Sequence, residues 1–141
     1  MGLYLCVFSS GDEDDELEGV EVGSYDDFHL LRTTVAERLE GGTWASRFPV
    51  LMSHADSDGE WTPQEAAALG GELRTIEDEL AALPFTRFLE GSWQSAVAKT
   101  KGVVPGSLAE CFIDVDGEPL LERLRDLART AAERGCPISF Q

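Results

Sequence analysis

The run Leu3-Tyr4-Leu5-Cys6-Val7-Phe8, closed by Ser9-Ser10-Gly11, is apolar with aromatic and β-branched members. A short run of this kind fits a strand buried on both faces, and so a central position in a sheet. The chain then changes character at once. From Asp12 to Glu18 every position except Leu17 is an acid. No core accepts so many unpaired carboxylates, and a solvated loop is expected there. Val20 and Val22 alternate with Glu21 as in a second, half-exposed strand.

Ser24 followed by Asp27 has the form of a helix cap, and Tyr25, Phe28, Leu31, Val35 and Leu39 recur at three- and four-residue steps. An amphipathic helix ended by Gly41-Gly42 follows. Phe48 to Met52 reads as a strand. Thr62-Pro63-Gln64-Glu65 opens a long helix with Leu69, Leu73, Ile76, Leu80 and Leu83 on one stripe and Pro84 as its stop. Gly70-Gly71 inside it costs about 1 kcal/mol per glycine relative to alanine, which suggests a closely passing backbone. Ser92 caps a short helix that turns Trp93 and Val97 inward. Cys111 to Val115 reads as a strand, Asp116-Gly117 as a turn, Leu120 to Ala131 as a last helix stopped by Gly135, and Pro137 to Phe140 as a final strand. These elements make one α+β domain over residues 1–141, a mixed or antiparallel sheet of four to five strands packed against three to four helices. A chain of 141 residues hides about two-thirds of its unfolded surface, enough for a core without staples.

Charge is the unusual quantity. The 27 Asp and Glu face 11 Lys and Arg, a formal net charge of -16. Nucleic acid is held by Lys and Arg displacing counterions, and no basic stripe is present to do so. An anionic membrane surface is disfavoured by the same sign. A basic protein partner would be steered inward, although repulsion that keeps a protein soluble explains the same composition. Cys6, Cys111 and Cys136 are an odd set without Cys-x-x-Cys spacing and read as reduced core residues. The first residues lack a basic leader, so export is not expected and a reducing cytoplasm fits.

Few residue clusters suggest chemistry. His54 to Glu65 overlays a twelve-residue calcium loop, with Asp56, Asp58, the Glu60 carbonyl, Thr62 and Glu65 as oxygen donors. His54 in its first place is a poor ligand for a hard cation, and the preceding segment reads as strand. Turns at Asp56 and Asp58, a positive φ at Gly59 and a capping box from Thr62 to Glu65 account for the same letters without metal. Asp114 and Asp116 flank Val115 as an acid pair that could serve a small metal-dependent hydrolase, or simply a turn into a helix. No glycine-rich phosphate cradle is present, and no cofactor is expected. Trp61 lies among acids, where it would be a surface hot spot for a cationic partner; the alternative is a lid folded onto the core.

Met1 to Phe8, Gly19 to Tyr25, Arg47 to Met52, Asp58 to Glu65, Phe112 to Leu121 and Pro137 to Gln141 together resemble the immunity protein 70 family of bacterial polymorphic toxin systems. The likeness runs from one end to the other. It implies an α+β protein made beside a toxin and protecting its producer by binding that toxin, and it carries no catalytic residues. Toxins of such systems are often nucleases with cationic clefts, which an acidic inhibitor can fill as a mimic of the phosphate backbone. The expected contact residues are Asp12, Glu13, Asp14, Asp15 and Glu16 in the acidic stretch, with Asp56, Asp58, Glu60 and Trp61 in the second turn.

Overall fold

The apolar run forms β1 (Gly2–Ser9), which lies inside the sheet as expected. The computed structural model describes residues 2–9, 12–55, 59–85 and 88–141, with the side chains of 12–14 outside the description. Among these residues the remaining strands are β2 (Asp12–Ser24), β3 (Glu60–Trp61) and β4 (Ile138–Phe140), in the order β2-β1-β4-β3. Every pairing is antiparallel. The helices are α1 (Tyr25–Leu39), α2 (Pro49–Ser53), α3 (Pro63–Ala81), α4 (Trp93–Lys101) and α5 (Leu120–Arg134), with a 3-10 turn at Leu108–Cys111.

The locally encoded features stand where the sequence puts them. Ser24 and Asp27 form a full capping box on α1, and Thr62 and Glu65 form another on α3 with Pro63 in the first turn. Ser92 caps α4, and Gly135 ends α5 in the left-handed conformation. Leu69, Leu73, Ile76 and Leu80 of α3 are buried in one core with Leu120, Leu121, Leu124 and Leu127 of α5. A Cβ added at Gly70 would meet the Ala128 side chain of α5 at ordinary contact distance, so the close approach here is to a side chain.

Three readings are corrected. Asp12 to Glu18 is not a loop but the start of β2, paired with Val7, Phe8 and Ser9 through register shifts. An edge strand keeps one edge in water, so a strand can carry acids that a core could not. Phe48 to Met52 is not a strand, because Pro49–Ser53 is α2. Proline suits the first helical turn, and Glu72 of α3 accepts the backbone N–H groups of Val50 (3.1 Å) and Leu51 (2.9 Å). Cys111 to Val115 is not a strand either: the 3-10 turn runs into a loop pinned by an isolated Ile113–Pro119 bridge. Val115 N–H in that loop donates to the Glu21 carbonyl at 3.1 Å, covering part of the outer edge of β2.

The core lies on one face of the sheet. Leu3, Leu5 and Val7 of β1, Val20 and Val22 of β2, Ile138 and Phe140 of β4, and Trp61 of β3 all belong to it. The helices pack there; Phe28 of α1, for instance, meets Phe140 edge to face at 6.3 Å. Cys6 is buried but lies off that cluster, since its neighbours in β1 alternate to the other side.

Candidate partner-binding surface

The second face of the sheet follows from register. Gly19, Cys6, Ser139 and Glu60 pair in one row across all four strands, and cross-strand partners share a face. Tyr4 pairs with Glu21 and Phe8 with Glu16, which adds these four to the same side. The result is a band of the half-buried Tyr4 and Phe8 with the buried Cys6 between them, bordered by the exposed carboxylates Glu16, Glu21 and Glu60.

The Tyr4 ring lies across Gly19, where a Cβ would overlap its hydroxyl. That hydroxyl donates to Glu16 Oε1 at 2.7 Å. Burial, and then the Glu16 carboxylate, pushes the phenol up to about 12. Burial first and the Glu16 charge second push the Cys6 thiol up to about 11, so it stays protonated and unreactive.

The expected contact residues divide. Asp15 and Glu16 are exposed on β2, and Glu60 is exposed on β3. Asp12, Glu13 and Asp14 lie on β2 by backbone, with side chains outside the described residues. Asp56 and Asp58 are also outside the described residues. Toward Ser24 the outer edge of β2 is covered, because the Glu21 carbonyl accepts from Val115 N–H and the Gly19 carbonyl accepts from Arg123 Nη2 at 2.7 Å. No such cover is found for 15–18 among the described residues.

Trp61 is not on the surface. It is 1 % exposed, donates from Nε1 to the Val50 carbonyl at 3.1 Å, and meets Phe140 at 4.8 Å between centroids. Alternation along β3 turns Glu60 outward and Trp61 into the core. A strand of two residues gives too short a pattern to show this in sequence.

Three of the donors of the calcium-like loop, the Glu60 carbonyl, Thr62 and Glu65, have protein partners. Glu65 Oε1 accepts from Thr62 N–H, and Thr62 Oγ1 accepts from Glu65 N–H, each at 3.1 Å. The Glu60 carbonyl faces His54 Nε2 at 2.9 Å, and the His54 ring stacks on Phe140 at 4.1 Å. Among the described residues no group of His, Cys, Asp and Glu is arranged to hold a metal ion. Asp114 is 1 % exposed. Its Oδ1 accepts from Asp116 N–H and Glu118 N–H, both at 2.9 Å, and its Oδ2 lies 3.7 Å from Arg123 Nε. That carboxylate builds the turn into α5, and Asp116 is exposed beside it.

No helix among the described residues is long and apolar enough to cross a membrane. No curated protein and no solved structure matches the chain. The family model described as Immunity protein 70 matches residues 3–140. A match of that extent, nearly the whole of an α+β chain, means that the chain belongs to the immunity protein 70 family.

Proposed function

We propose that the protein neutralises a bacterial toxin of a polymorphic toxin system by stoichiometric contact, without turnover. Its acidic stretch of β2 meets a basic surface of the toxin. The observation that carries this reading is the placement of the acids: they occupy the part of the edge strand that the 112–119 loop leaves uncovered. Charge of one sign on an open edge keeps copies of the chain apart and attracts a cationic partner. The net charge of -16 acts in the same direction at longer range. Glu21 and Glu60 on the adjoining sheet face extend the surface; Asp56 and Asp58 are assigned to the contact from the sequence alone and lie outside the described residues. The buried Trp61 does not. The odd number of cysteines, without Cys-x-x-Cys spacing, supports action in a reducing cytoplasm.

The test is association with the toxin domain encoded beside the protein, measured over a range of salt. Reversing Asp12, Asp14 and Asp15 to Lys should weaken binding roughly tenfold or more and flatten its salt dependence. An unchanged affinity would remove β2 from the contact.

A further inference from the structure

A cavity of about 450 Å³ opens between the end of β2, α1, α4 and the 108–113 segment. That volume lies in the usual range of ligand sites, about 300–1,000 Å³. Its walls are mainly apolar, from Leu30, Leu89, Trp93 and Phe112 among others. Leu30 is 56 % and Leu89 79 % exposed.

One carboxylate, Asp27, lines this space. Its Oδ2 accepts from Ser24 N–H at 2.7 Å, Ser24 Oγ at 2.8 Å and Trp93 Nε1 at 2.9 Å, and its Oδ1 accepts from Gln94 Nε2 at 2.6 Å. Burial disfavours the charged form and acts to raise its pKa, but the hydrogen bonds from Ser24, Trp93 and Gln94 outweigh it and hold the carboxyl below the ordinary aspartate range. All four donors are neutral, and no ion pair among the described residues includes Asp27. Asp27 therefore presents a full negative charge to an apolar space, and Oδ1 keeps a spare lone pair. The capping role of Asp27 accounts for its contact with Ser24 but not for the open volume above it. Gly23 is fixed by the same arrangement: at φ +121, a Cβ would lie 2.6 Å from Asp27 Oδ2 and 2.7 Å from the Trp93 ring.

We propose that this cavity receives an arginine side chain of the partner protein, its guanidinium on Asp27 and its stem along the apolar walls. This rests on the reading of the chain as a toxin-binding protein. Charge complementarity selects a cation, and a charge-assisted bond to a carboxylate is stronger in an apolar setting. Arginine suits the site better than lysine because its planar, weakly hydrated head stacks on rings such as Trp93 and Phe112. The acidic stretch and the cavity lie along the same strand. From Glu16 to Ser24 is at most about 26 Å at ~3.3 Å per residue, a span that an ordinary interface of ~800 Å² per partner can cover.

Benzamidine, an aromatic amidinium, serves as the probe and benzamide as its neutral counterpart, with the full chain labelled with nitrogen-15. Benzamidine should shift the indole N–H resonance of Trp93 at a concentration at least about tenfold below benzamide, leaving Trp61 unmoved. Asp27→Asn should erase that preference. Leu89→Lys, at an exposed rim position that needs no repacking, should repel benzamidine and weaken toxin association at least about tenfold. Silence of Trp93 toward benzamidine, an equal response to benzamide, or wild-type toxin affinity in Leu89→Lys would each overturn the proposal. The probe arm uses no toxin. A wild-type protein that fails to bind its toxin would therefore count against neutralisation by contact, whereas a failure with benzamidine counts against the cavity alone.

Discussion

Tyr4 and Glu16 meet across Gly19, although twelve positions separate them along the chain, and each consequence can be measured. The folded phenol ionises at about 12 rather than 10.0. A raised folded value means that the contribution of Tyr4 to stability is complete below pH 10 and is lost as pH climbs toward 12. Phenolate absorbance should report this late ionisation. Glu16→Gln should move it toward the ordinary value without reaching it, because burial is the larger cause. Gly19→Ala should cost roughly 1–3 kcal/mol in urea unfolding, the usual penalty of overpacking; a wild-type midpoint would mean that the ring swings aside freely. None of this contact was visible in the sequence. For Trp61 the sequence left a surface hot spot and a lid on the core both open, because its acidic neighbours pointed toward solvent while the cross-strand partner that buries it, Ile138, lies far along the chain.

Among the elements, the two capping boxes and the α2 cap differ in how far apart their partners lie. Thr62 and Glu65 are three residues apart, and both halves of their box are present. Thr62→Ala should lower stability by about 1 kcal/mol, read from the urea midpoint. The start of α2 is held instead by Glu72, more than twenty positions away. Glu72→Ala strands two backbone donors and should cost about 1–3 kcal/mol. A loss of only a few tenths would mean that Pro49 alone starts the helix. Caps on α1, α3 and α4 were legible because donor and acceptor share a local spacing. The helical state of Phe48 to Met52 was not, since an apolar run that short has no period to separate helix from strand.

For the molecule as a whole, carboxylates outnumber basic groups by more than two to one, so self-repulsion opposes the compact state. Added salt should raise unfolding free energy as the screening length falls to about 8 Å near 0.15 M. A fall instead would mean that pairs such as Arg47–Glu79 outweigh the repulsion. The same salt should weaken toxin association, so the two effects have opposite signs and can be separated. The chain by itself determined the α+β class, the central place of β1, the stripes and caps of the long helices, and the excess of negative charge. These depend on composition or on residues a few positions apart. Tertiary structure decided that the acids from Asp12 onward begin an edge strand, that Asp114 builds a turn, and that Asp27 faces an apolar cavity. Each of these is set by a partner brought near only when distant segments pack together.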